Sequence, residues 1–127
     1  MTWETYLFEQ QPRYQEELLQ FLSIPSISAL PEYAEAVQQA ARWVADRLMT
    51  ASLENVQILS TNGHPVVYGE WLHAPGKPTV MIYGHFDTQP ADPLNLWASP
   101  PFEPQVRNDR VGADAIISAF QDLDRAR

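Results

Sequence analysis

Apolar positions in the first part of the chain recur at helical spacing. Between Trp3 and Leu22, the side chains Tyr14, Leu18 and Leu22 fall four residues apart, with Glu16, Glu17 and Gln20 between them, and predict a helix. Pro12 has no backbone N–H to donate, so this helix either kinks there or begins there. The run "SIPSIS" then ends it, because a residue before proline resists the helical region. A second helix is predicted over "PEYAEAVQQAARWVADRLMTA", with Tyr33, Val37, Ala41, Val44 and Leu48 on one core-facing stripe. Pro31 and Glu32 suit its start, and Arg42 and Arg47 lie towards the negative end of its dipole.

Beyond residue 51 the period changes. "NVQILST" and "PVVYGEWLHA" are rich in strand formers, and "NGHP" between them signals a hairpin turn. "APGKP" is a second connection. "TVMIYG", residues 79–84, is a short continuous apolar run, the pattern of a central strand covered on both faces. The stretch "DTQPADPLNLWASPPFEPQVRNDRV" carries five prolines and predicts a long ordered loop without regular elements, anchored by Trp97 and Phe102. The tail, "GADAIISAFQDLDRAR", predicts a final helix with Ile116, Ile117, Phe120 and Leu123 on a shared face. The order of two helices, hairpin, central strand, long loop and C-terminal helix predicts an α/β fold, the first half of an α/β sandwich.

Composition narrows the function classes. At 127 residues the chain is one domain at most, able to bury roughly two-thirds of its unfolded surface. Sixteen acids against eight bases leave a net charge of −8, which argues against nucleic acid or an anionic membrane as partner and is compatible with cation binding. With no cysteine, disulfides, thiolate catalysis and cysteine-based zinc sites are excluded. The first residues are too polar and acidic for a signal peptide. No apolar run approaches the roughly 20 residues that span a bilayer, so a soluble cytoplasmic protein is expected.

The candidate chemistry sits where the apolar run ends. In open α/β sheets ligands lie beyond the carboxyl ends of the strands, and Gly84 lets the chain leave "VMIY" so that His85 projects there. Residues i and i+2 of an extended chain point the same way, so Asp87 can lie beside the imidazole. A carboxylate accepting from one ring nitrogen fixes the tautomer and leaves the other nitrogen to a metal. The triplet alone is more often a structural histidine at a strand end. Zinc needs three or four protein ligands, and the remaining histidines, His64 and His73, fall in or beside the hairpin and read as surface residues.

"FLSIPSIS" after a helix, the Trp43-containing second helix, "PTVMIYGHFDTQPAD" and "LWASPPFEPQVRNDRV" together resemble the dipeptidase branch of the co-catalytic zinc metallopeptidases. Carnosinase-like dipeptidases, carboxypeptidase G-type enzymes, aminoacylase, acetylornithine deacetylase and succinyl-diaminopimelate desuccinylase belong there. The likeness covers roughly residues 12 to 111, in the family's motif order. It implies that the chain is the N-terminal part of a zinc-peptidase-like α/β/α sandwich. It further implies that His85 occupies the position of a histidine ligand to one of two zinc ions, and that Asp87 is the supporting acid needed for activity. Small peptides or N-acyl amino acids are the implied substrates, with the metals polarising the scissile carbonyl and activating water.

After "NDRV" the chain departs from the family, which continues with an aromatic residue, Gly-Arg-Gly, a small residue and Asp-Asp-Lys-Gly. This chain reads "VGADAIISAF". Asp114 stands for the bridging zinc carboxylate if several residues have been lost before it; an acid at the start of a helix is the simpler account. The family's glutamate pair, its later ligands and its lid and dimerisation domain have no counterpart here. Residues 1–127 therefore read as a single partial catalytic domain. Three readings remain: a truncated dipeptidase inactive alone, a binding or assembly module that kept the fold's first half, and a compact hydrolase that rebuilds a site from His85, Asp87 and Asp114. The first is favoured, with self-association through an unpaired sheet that exposes an apolar edge or face.

Overall fold

The computed structural model describes residues 1–107 and 110–112, the last three by their backbone. The chain divides into two compact units, Pro25–Pro90 and Met1–Ile24 with the residues from Ala91 onward.

In the second of these, helix α1 spans Trp3–Leu22. Its start is set by Thr2, whose hydroxyl accepts from the Thr5 amide at 3.3 Å, and its end by Ser23, whose hydroxyl donates to the Gln20 carbonyl at 2.7 Å. Pro12 lies inside the helix and does not start it, so one backbone bond of the ladder is missing there. None of its residues is buried. The proline-rich stretch after Ala91 is more regular than expected. A 3₁₀ turn covers Leu94–Leu96, and strands β3 (Gln105–Arg107) and β4 (Arg110–Gly112), to use the chain-order numbering that starts with the hairpin strands β1 and β2 below, form a short antiparallel ribbon. Trp97 anchors the stretch by donating from its ring nitrogen to the Ala91 carbonyl at 2.8 Å, and Phe102 is half-buried.

The Pro25–Pro90 unit is built on helix α2, Ala34–Thr50, entered through a 3₁₀ turn at Pro31–Tyr33. Arg42 reaches back to Glu35 at 2.7 Å across the exposed face. The buried face is Val37, Ala40, Ala41 and Ala45; Tyr33, Val44 and Leu48 flank it half-buried. The stripe thus turns slightly from the expected one, towards alanines that let a neighbour approach closely. That neighbour is the hairpin of β1 (Glu54–Leu59) and β2 (Val66–Glu70). At Gly69 an added Cβ would lie 3.2 Å from Leu48 Cδ1 and 3.3 Å from Val56 Cγ2, so this glycine is where the strand presses on the helix. The register pairs Leu59 with Val66, Ile58 with Val67 and Gln57 with Tyr68. It shifts between Glu54 and Gln57, where Asn55 takes a φ of 50°. The turn is closed by Thr61, whose hydroxyl donates to the His64 carbonyl and accepts from the Gly63 amide.

The α/β class and the hairpin are present as expected; the central strand is corrected. Residues 79–84 belong to neither ladder, and Val80, Met81, Ile82 and Tyr83 are 78–93% exposed. A continuous apolar run becomes a central strand only when flanking strands take up its backbone groups. Both sheets among the described residues are two-stranded and paired within themselves. The expected C-terminal helix, with Asp114, Ile116, Ile117, Phe120 and Leu123, lies outside the described residues. No described helix is long and apolar enough to cross a membrane.

Candidate functional site

The serine-rich run before α2 holds the segment that carries His85 and Asp87. Ile27 forms a parallel bridge with Thr88, and the Thr88 amide donates to the Ser26 carbonyl at 2.9 Å. Ser26 is buried, and its hydroxyl is satisfied by the Phe86 carbonyl at 2.8 Å. Ser28, in the turn that follows, lies beside Asp87, the residue after Phe86, and its hydroxyl donates to Asp87 Oδ2 at 2.6 Å.

The other carboxylate oxygen faces the imidazole. His85 Nδ1 is 3.1 Å from Asp87 Oδ1 and 3.1 Å from the Asp87 carbonyl oxygen. Both partners accept, so Nδ1 carries the proton and Nε2 carries the lone pair. The His85 side chain is 75% exposed, which leaves Nε2 accessible to a ligand. The Ser28 hydroxyl above all, then the residue's own amide and His85, hold the Asp87 carboxyl below the usual carboxylate range against the opposing push of partial burial. Asp87 is therefore ionised at neutral pH and orients the His85 ring.

The same shift sets a pH dependence. Asp87 binds its proton less readily folded than unfolded, so its contribution to stability is present above the unfolded pKa, about 3.9, and is lost as pH falls through the lower folded value. With the side chain 38% exposed the effect is small. Urea midpoints at about pH 6 and about pH 3 should fall further for the unsubstituted chain than for Asp87→Asn; parallel losses would refute the linkage.

The other expected residues are placed as follows. His64 and His73 are exposed, as surface residues should be. His73 Nε2 lies 2.9 Å from Glu54 Oε1, with its ring edge-to-face on Trp71 at 5.6 Å. His64 Nε2 is 2.8 Å from the Ser28 carbonyl, a link to the His85 site that no spacing in the sequence announces. Asp114 lies outside the described residues. Among the described residues no three histidines or acids gather as a metal would require.

No family model matches the chain. Among curated proteins, it is 32% identical over 106 residues to a Cys-Gly metallodipeptidase of Candida albicans, covering 74% of this chain and 22% of that one. It is 27% identical over 95 residues to a cysteinylglycine-S-conjugate dipeptidase of Corynebacterium striatum, covering 75% and 21%. Among solved structures, an M20 family metallo-carboxypeptidase of Sulfolobus solfataricus matches at TM-score 0.66 and 33% identity, over 87% of this chain and 22% of that one. The chain is homologous to the dipeptidase branch of these metallopeptidases. A dipeptidase of Saccharomyces cerevisiae shares the fold at TM-score 0.72 and 23% identity, over 80% of this chain and 23% of that one. This metallodipeptidase homologue spans about a fifth of the length of the curated relatives it matches, a coverage that fits their N-terminal part.

Proposed function

We propose that residues 1–127 form the first part of the catalytic domain of a zinc-dependent dipeptidase or related amidohydrolase. Its substrates are small, of the dipeptide kind named for the relatives, such as Cys-Gly, or N-acyl amino acids. The observation that carries this reading is the His85–Asp87 pair, with Nδ1 bound to the acid and Nε2 left open. In this role His85 is the ligand to one of two zinc ions and Asp87 orients it; Asp114 is the residue the sequence offers for a bridging carboxylate. Bound zinc would supply a polarised carbonyl and an activated water. The chain works in the cytoplasm and does not hydrolyse peptides as 127 residues, because one ligand position is not a zinc site.

The test is bound zinc per chain after dialysis, by elemental analysis, with His85→Ala as control and Cys-Gly hydrolysis assayed on both. The expected result is no zinc above the control and no hydrolysis. About two zincs per chain that disappear in His85→Ala would overturn inactivity and show a rebuilt site. The exposure of Val80–Tyr83 favours a second reading, an assembly module that pairs this apolar run with another chain. A cooperative melt without metal in a strictly monomeric chain would speak against that pairing.

A further inference from the structure

We infer that Ser28 and His64 are positioning residues for His85, joined in one hydrogen-bond chain, His64–Ser28–Asp87–His85, that decides which ring nitrogen is left open. The inference rests on the proposed role of His85 as a ligand.

The proton directions follow from the chemistry of each partner. The Ser28 carbonyl only accepts, so His64 donates from Nε2 at 2.8 Å. The Asp87 carboxylate only accepts, so Ser28 donates its hydroxyl proton to Oδ2 at 2.6 Å. The remaining oxygen, Oδ1, then faces His85 Nδ1 at 3.1 Å and accepts that proton together with the Asp87 carbonyl oxygen, also at 3.1 Å. With Oδ2 occupied by Ser28, Oδ1 is the oxygen left for the ring.

Local sequence does not hold this geometry. His85 and Asp87 are two residues apart on an exposed segment, and a pair of that kind exchanges freely with water. Ser28 ties Asp87 across 59 residues of chain, and His64 ties Ser28 across 36. Ser28 cannot drift with Asp87, because the neighbouring Ser26 bonds Phe86 and Thr88 and Ile27 bridges Thr88. His64 is itself set by the turn, where Thr61 donates to its carbonyl at 2.7 Å. Three separate parts of the Pro25–Pro90 unit thus converge on one imidazole. Partners that hold a ligand histidine's supporting acid tune the metal affinity, and their loss is commonly felt about 10–100-fold.

The test reads the tautomer directly, in the full chain with ring-labelled histidine, at about pH 8, above the ordinary range of a free imidazole. Ring nitrogen shifts should show His85 protonated mainly on Nδ1 and His64 mainly on Nε2. Ser28→Ala should lower the Nδ1–H to Nε2–H ratio of His85 by about threefold or more. Ser28→Thr keeps a hydroxyl and should restore it, which a merely structural role would not require. His64→Ala should lower it less, in the same direction. An unchanged ratio in Ser28→Ala, or no rescue by threonine, overturns the inference. If Ser28→Ala fails to fold, His64→Ala at its exposed turn decides the matter: a lowered ratio supports the chain of bonds and an unchanged one overturns it. Zinc chloride added to the unsubstituted chain separates the two readings. Should zinc reach His85 no sooner than His64 and His73 while the tautomer still responds to Ser28, the ligand role falls and the positioning stands. Early perturbation of His85 with a ratio indifferent to Ser28 removes the positioning and leaves the ligand role.

Discussion

Val37→Asp is expected to unfold the Pro25–Pro90 unit. Val37 is fully buried on the inner face of α2, among Ala40, Ala41 and Ala45. That face, Ile27 and Pro65 are the buried apolar residues of the unit, so its core is small and Val37 is its largest wholly enclosed side chain. A carboxylate placed there must either ionise out of water or take up a proton and still lack partners; either costs about 4 kcal/mol or more. Domains of this size are stable by about 5–15 kcal/mol in all, and a small core lies at the lower end. Val37→Ala removes two methyl groups without adding charge and should cost about 2 kcal/mol, transfer and cavity together. Urea denaturation followed by far-ultraviolet circular dichroism checks both. A native-like Val37→Asp, with a midpoint close to the unsubstituted chain, would show that α2 does not carry the core.

The contrast between what could be read in advance and what could not follows the range of the interactions. The two helices were legible because their apolar spacing is a local property, and α2 was misjudged only by a slight rotation towards Ala40 and Ala45. Asn62–Gly63 announced the hairpin turn for the same reason, through the backbone freedom of those residue types. "TVMIYG" announces only that a segment suits cover on both faces. Its partners are a matter of the whole sheet, and the described residues provide none. The β3–β4 ribbon was hidden because "QVR" and "RVG" are too short to show alternation beside so many prolines. The site divides along the same line. His85 beside Asp87 follows from the i, i+2 geometry of extended chain, and the structure has that pair. Ser28 and His64 reach it across long separations and carry no spacing signal, so only folding brings them in.

The exposed run leads to the second large effect: the 127-residue chain should self-associate at micromolar concentration, and Ile82→Lys should return it to monomer. Val80, Met81, Ile82 and Tyr83 are consecutive, apolar and without a charge or proline among them; Lys77 and Pro78 stand just before the run and Asp87 just after. Uncovered strands of this composition pair edge to edge, and a single lysine within them is a common natural guard. Ile82 is 93% exposed, so the substitution should change folding stability by less than about 0.5 kcal/mol. An effect on association therefore cannot be traced to unfolding. The net charge of −8 opposes association, since every copy repels the next. Salt separates the two forces: at about 0.15 M the screening length is about 8 Å, which weakens the repulsion and leaves apolar pairing intact. Light scattering should accordingly show larger species as salt rises, and little change with salt in Ile82→Lys. A unsubstituted chain that stays monomeric across that range would mean that Val80–Tyr83 tolerates water as it stands, and association that weakens with salt would assign it to charged groups elsewhere.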